Sequence, residues 1–244
     1  MIPFFRKLRR KLLDERHLGR YLLYALGEVL LVMVGILLAL QVDNWNEERK
    51  ERREEVELLA ALRTDLIYAR NEMDTVMSYN KRYLNGYRQI YTNIREDRAY
   101  DTLLDKAFGN LDVWAQPYLS TMTYETIKNR GIDIIQNDSL KRHIMEVYTL
   151  DMKSLTDDMV LWEWSFNQNT TQRMMVENIR RDVDGWGARP NNYEALKNND
   201  EFQNFLSILI NVRSDNIDYS LRTKEAIEKL IAHIDKELSA RKEN

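Results

Sequence analysis

Cysteine is missing from all 244 residues, which removes disulfides, thiolate metal sites and cysteine nucleophiles together. Proline occurs three times and glycine eight times, too rarely to punctuate a chain of short strands and turns. Neither sign of charge dominates. Thirty-six basic residues face 39 acidic ones, so the basic excess that a nucleic-acid partner requires is absent, and none is expected. Histidine is scarce too: His17, His143 and His233 lie far apart, and His143 with Glu146 gives one H-x-x-E where a di-iron bundle needs two such elements plus further carboxylates. No metal site and no cofactor are expected. G-x-x-x-x-G-K-[ST], G-x-G-x-x-G and G-x-S-x-G are all lacking, and with them the usual signatures of nucleotide and acyl-transfer enzymes. The chain reads as non-enzymatic.

What remains favours helix. Charged residues make up 31% of the chain and the good helix formers Leu, Glu, Arg, Lys and Ala dominate, so an all-α fold is expected. One segment stands apart from this polar background. Tyr21 to Val42 has only Glu28 and Gln41 as strongly polar residues; its 22 residues at 1.5 Å give about 33 Å, against a hydrocarbon thickness of about 30 Å. This predicts three parts: a basic amphipathic segment at 1–20, a transmembrane helix at 21–42 and an extracytoplasmic helical domain at 43–244.

Arg6, Lys7, Arg9, Arg10 and Lys11 precede the span among Ile2, Phe4, Phe5, Leu8, Leu12 and Leu13, the pattern of a helix lying on lipid headgroups. Basic residues stay on the cytoplasmic side, which puts the amino terminus inside and the domain outside, in the periplasm of a bacterium. The apolar run is too long for a cleaved signal peptide and Ala39-Leu40-Gln41 lacks the second small residue of an A-x-A site, so the segment reads as an uncleaved signal anchor of the inner membrane. Trp45 falls where an interfacial anchor belongs.

Glu28 is the anomaly. Seven residues into the span, it lies about 10 Å deep, where an acidic side chain facing lipid costs a few kcal/mol. At helical spacing it shares a face with Gly35, Ala39 and Asp43, and Gly35-x-x-x-Ala39 is a small-xxx-small pair that lets two helix backbones approach. The polar group and the small residues coincide. This predicts a self-associating anchor with Glu28 packed between helices; the alternatives are a proton or ion path through several copies and a carboxyl that snorkels to the headgroups.

Beyond the span, more than fifty residues carry no proline. Leu59, Leu62, Leu66, Ala69, Met73, Val76, Tyr83, Tyr87, Ile90 and Ile94 alternate three and four apart, with only Asn80 polar, an a/d repeat of about five heptads that predicts a long helix in a coiled coil or antiparallel bundle. Trp45 keeps the same register, so the helix is expected to run unbroken out of the span. Residues 97–137 are looser, with short helices near Thr102 to Phe108 and at TYETIKNR, the latter capped by Ser120, Thr121 or Thr123 and stopped by Gly131. A second long helix opens at Asn137, Asp138 or Ser139, buries Leu140, Ile144, Val147, Leu155, Met159, Trp162 and Phe166, and persists to about Val183. After a loop at Gly185, Gly187 and Pro190, Asn192 caps the short helix YEALK. A third long helix, from about Asp200 to Ala240, buries a stripe that includes Phe205, Leu209, Ile217, Leu221, Ile227 and Ile234. Three long helices with short ones between them make an elongated bundle. Trp114, Tyr118, Tyr124, Tyr148, Trp162 and Trp164 are expected in the core, with a ligand pocket as the alternative.

Two blocks carry a resemblance. FFRKLRRKLL followed by YLLYALGEVLLVMVGILLALQVDNWNEERK, with its G-E pair inside the span and its ALQ-[IV]-[DN]-NWNE exit, resembles an uncharacterised family of bacterial membrane-anchored proteins, and TYETIKNRGIDIIQNDSLKRHIMEVY resembles that family's second motif. The resemblance implies a single-span, mostly helical envelope protein and supplies no catalytic residues. The expected function is a homo-oligomeric membrane scaffold or interaction protein, in contact with lipid and with other envelope proteins. An ion- or proton-conducting assembly and a ligand-sensing domain are the alternatives.

Overall fold

A computed structural model describes residues 18–183, 185 and 187–241. The chain divides between Glu54 and Glu55 into an anchor unit and a domain unit. One unbroken helix, α1 (Leu18–Arg95), contributes residues to both. Within the anchor unit the apolar stretch is unburied, with Leu31 69% exposed and Val42 63%. Among the described residues α1 is the one helix long and apolar enough to cross a membrane. The basic group Arg6, Lys7, Arg9, Arg10 and Lys11 lies outside the described residues.

The domain unit is nearly all helical. After α1 come α2 (Asp105–Gly109), α3 (Met122–Arg130), α4 (Asp138–Glu146), α5 (Val160–Phe166) and α6 (Gln172–Asn178). Strands β1 (Ile179–Arg181) and β2 (Ala188–Pro190), then α7 (Tyr193–Lys197) and α8 (Asp200–Ala240), complete it. The a/d stripe of α1 is buried as its spacing demands, Leu59, Leu62, Leu66, Tyr87 and Ile90 completely so, except at Tyr83, which is partly buried while Leu84 beside it is buried. Local chemistry sets the helix starts. Asn137 Oδ1 accepts from the amides of Ser139 and Leu140 (3.0 and 3.1 Å), and Asn199 Oδ1 from that of Phe202 (3.1 Å), satisfying donors that a first turn leaves orphaned. Gly131, at φ +107°, ends α3 in a conformation that a side chain would strain. At Gly86 a Cβ would stand 3.1 Å from the Ala107 Cβ, so glycine there lets α2 approach α1.

Cross-helix pairs fix the topology. Glu55, Arg63, Asp74 and Asn80 of α1 meet Arg241, which caps α8, and Asp235, Lys224 and Asn216 within it, numbers rising on one helix as they fall on the other, so the two are antiparallel. Asn137 meets Glu237 and the Thr223 hydroxyl donates to the Asp151 carbonyl, so residues 138–178 also run antiparallel to α8. Apolar clusters gather around Leu66, Ile144 and Ile227 towards one end, and around Ile90, Phe108 and Phe205 towards the other.

Three features depart from the sequence reading. Residues 138–178 are helical throughout but contain three π-helical segments, Val147–Asp151, Ser154–Met159 and Asn167–Thr171. Each wide turn slows the rotation of the buried face along the sequence, so burial runs Leu155, Glu163, Asn167, Thr171. Trp162, placed on that face by a 3.6-residue period, is instead 44% exposed. Leu221 is likewise 45% exposed, because the inward position of α8 there belongs to Ser220, which is fully buried. Finally, the second long helix stops at Asn178 rather than near Val183. Asn178 Nδ2 donates back to the Met174 carbonyl (3.1 Å) and β-branched Ile179 begins a hairpin in which it pairs with Pro190. Proline is tolerated in that last pair because β2 has a free edge.

Candidate functional site

The middle of the bundle is polar. Asn80, Glu163, Asn167, Arg213, Asn216, Ser220 and Thr223 are all buried, Arg213 to 1% exposure. Arg213 grips Glu163 with both terminal nitrogens, Nη1 to Oε1 at 2.8 Å and Nη2 to Oε2 at 3.2 Å, and Asn216 Nδ2 adds a third donor to Oε1 at 3.3 Å. Burial pushes the Glu163 carboxyl up from its ordinary range, while the Arg213 charge and the hydrogen bonds from Arg213 and Asn216 pull it back down. Replacing such a pair by an apolar layer of similar shape is often neutral or stabilising, so stability alone does not account for it.

The layer's bonds lead outward to one loop. Arg213 Nη1 also reaches Asn80 Oδ1 (3.3 Å), and Asn80 Nδ2 donates to Asn216 Oδ1 (3.2 Å). Asn80 in turn holds both backbone groups of Ala115: Nδ2 donates to its carbonyl at 2.8 Å and Oδ1 accepts from its amide at 3.0 Å. The hydroxyl of Tyr87 lies 2.9 and 3.0 Å from the carbonyl oxygens of Asn110 and Val113; burial raises its pKa well above the ordinary tyrosine value. Asn167 Nδ2 donates to the Asp112 carbonyl at 3.3 Å. Residues 110–115, which have almost no regular structure, are thus pinned from inside by side chains of two helices.

The pinned loop forms one wall of a surface cleft of about 410 Å³, lined by Asp112, Trp114, Gln116, Tyr118 and, from α5, Trp164. Trp114 and Trp164 meet edge to face, centroids 5.2 Å apart and planes at 85°. Asp112 forms an ion pair with Arg181 of β1. Trp114 Nε1 and Gln116 Oε1 are buried with no hydrogen-bond partner among the described residues, as are Thr171 Oγ1, Tyr193 Oη, Arg213 Nε and Ser220 Oγ elsewhere in the domain. The other expected aromatics divide differently. Tyr124 and Tyr148 stack on each other at 4.5 Å beside a second cavity whose charged groups pair among themselves, Lys128 with Glu125 and Lys153 with Asp157. Trp162 stacks on Phe166.

The three histidines are not all apart in space. His143 and His233 approach to 3.1 Å between their Nδ1 atoms, which requires one ring to donate and the other to accept. Burial, then the neighbouring His233, lowers the pKa of His143, with Glu146 and Asp151 opposing. Among the described residues no three His, Cys, Asp or Glu side chains cluster as metal ligands would.

In the anchor unit Glu28, Gly35, Ala39 and Asp43 fall within an arc of about 80° on α1. Glu28 is half-exposed; Ala39, Asp43 and Trp45 are exposed. A Cβ built on Gly35 meets nothing within 4 Å.

The sequence reading missed Glu163, Asn167, Arg213 and Asn216. Two traces of them were present: Asn80 interrupting an apolar stripe, and the polar run Arg213, Asn216, Ser220, Thr223 at helical spacing within α8. The model of a family described as of unknown function, DUF6090, matches residues 28–181. No curated protein and no solved structure matches the chain.

Proposed function

The chain belongs to the DUF6090 family of unknown function, and from the two units we propose that it is a non-enzymatic, homo-oligomeric membrane scaffold that presents its helical domain on the periplasmic side of a bacterial inner membrane. One observation carries this reading: the four residues Glu28, Gly35, Ala39 and Asp43 share a face of an apolar helix on which none of the described residues packs against Gly35. Small residues there admit a second helix, and a protein neighbour shelters a carboxyl better than acyl chains do. The basic residues 6–11 before the span support the orientation and contact with lipid headgroups. The engagement of both Glu163 oxygens by Arg213, with Asn216 on one of them, supports a structural role for this buried carboxylate.

The test is the mass of the full chain in native lipid. A discrete oligomer that Gly35→Ile or Ala39→Ile dissociates is expected. A monomer, or an oligomer indifferent to both substitutions, removes the proposal.

A second reading is favoured by the pinned loop. A domain that spends buried hydrogen bonds on fixing one irregular surface segment is organised for recognition there, as a ligand-sensing domain would be.

A further inference from the structure

The shape and sign of the loop cleft narrow what it recognises. Two indole rings at 85° make a corner rather than a platform. A flat pyranose or base needs a parallel surface; a corner suits a compact, rounded group that touches both walls. Tyr118, 79% exposed, adds a third ring at the rim. Apart from these rings the described lining consists of Asp112, Val113, Ala115 and Gln116, so the charged residue among them is a carboxylate, the one that Arg181 pairs with. Aromatic faces are the negative part of the ring quadrupole, and a carboxylate beside them adds to the same potential. The cleft is built to hold a cation.

The kind of cation follows from hydration. A primary ammonium gives up strong hydrogen bonds to water on entry, and ring faces with one carboxylate already in an ion pair return few of them. A quaternary ammonium has no N–H to satisfy, spreads its charge over methyl groups that pack on the rings, and is the group that aromatic cages bind. We propose that Trp114, Trp164 and Tyr118, with Asp112, form an aromatic cage for a trimethylammonium group. The cavity of about 410 Å³ exceeds that group, leaving room for whatever carries it, a small solute or a lipid headgroup. The second cavity has no such character, since its two tyrosines lie 6° from parallel and cover each other.

Arg181 gives the cage a competitor. Its guanidinium already occupies the Asp112 carboxylate, and its side chain is 41% exposed, on the hairpin strand β1. Removing it returns the carboxylate's full charge to the cleft. A cage therefore predicts that Arg181→Ala tightens cation binding, an effect that loss of a merely structural ion pair does not produce.

This proposal rests on the recognition reading of the loop. The test uses the full chain in a maltoside detergent, titrated with choline chloride and with 3,3-dimethyl-1-butanol, the uncharged isostere, and followed by tryptophan fluorescence. Saturable binding of choline is expected, with the neutral isostere at least about fivefold weaker, binding reduced about tenfold or more by Trp164→Ala, and tightened severalfold by Arg181→Ala. Equal binding of the neutral isostere, absence of saturation with choline and with short-chain phosphatidylcholine alike, or weaker binding in Arg181→Ala overturns it. Short-chain phosphatidylcholine, with the phosphatidylglycerol equivalent as control, separates the sources. Binding of the lipid but not of choline upholds the cage and assigns a headgroup, and the converse assigns a solute. Amide exchange distinguishes the two levels of failure: if no trimethylammonium binds while the Ala115 amide stays as protected as the amides of α1 around Asn80, the cage falls and the recognition reading stands.

Discussion

Glu28 and Asn80 are the same anomaly met twice on one helix: a polar side chain interrupting an apolar register. In the domain unit the chain answers it internally. Asn80 is fully buried, and α8 and the loop supply its partners at Asn216, Arg213 and Ala115. In the anchor unit Ala39 and Asp43 are exposed, and among the described residues none stands within 4 Å of where a Gly35 Cβ would be. What differs is that the partners of Asn80 all lie within the domain, whereas the face that carries Glu28, Gly35 and Ala39 is the one proposed to receive another copy.

The contrast breaks most visibly at the ion pair behind Asn80. Arg213→Ala strands the Glu163 carboxylate in the core and should destabilise the domain by about 3–5 kcal/mol in chemical unfolding, whereas replacing both partners together, Glu163→Leu with Arg213→Met, should recover most of that loss. Equal losses in the single and double variants would mean that the pair is not the centre of the layer. One step outward, Asn80→Ala removes four hydrogen bonds at once and should cost about 1–3 kcal/mol. Its distinctive mark is faster amide exchange at Ala115 without a comparable change in α8.

The histidine pair offers a further internal contact to set against the anchor. Because the folded pKa of His143 lies below the ordinary 6.5, the unfolded chain binds more protons in the interval between the two values. Stability contributed there is therefore fully present above about pH 6.5 and falls as the pH drops through the folded value. His143→Gln should flatten the dependence of the melting midpoint on pH between 5 and 7, and leave anchor association untouched. An unchanged profile would show that the pair does not titrate with folding. The smallest effect belongs at the surface. Lys224→Ala, which removes the 2.7 Å bond to the half-exposed Asp74, should shift stability by no more than about 1 kcal/mol.

Much of the fold was legible because helices announce themselves by period. The stripe from Leu59 to Ile94, the caps Asn137 and Asn192, the stop at Gly131 and the bounds of α8 all follow from side-chain spacing and local backbone chemistry. The reading failed where the period itself changed. The two π-helical segments before them, Val147–Asp151 and Ser154–Met159, rotated Trp162 outward and Glu163 inward, and a hairpin replaced the end of the second helix after Asn178. The candidate site was harder still. Trp114, Tyr118 and Trp164 stood out as aromatics, but nothing in their spacing distinguished them from Tyr124, Tyr148 or Trp162.

By itself the sequence determined the helical class, the apolar length of the anchor and the coincidence of Glu28 with Gly35 and Ala39, because each depends on residues close together along one helix. Tertiary structure alone decided that Asn80, Glu163 and Arg213 form one layer, that this layer fixes the loop at Ala115, and that two tryptophans fifty residues apart meet at a right angle. The physical reason is that hydrogen bonds and ring contacts between distant segments depend on helix phase and register. A single wide turn resets both without altering the composition from which the class is read.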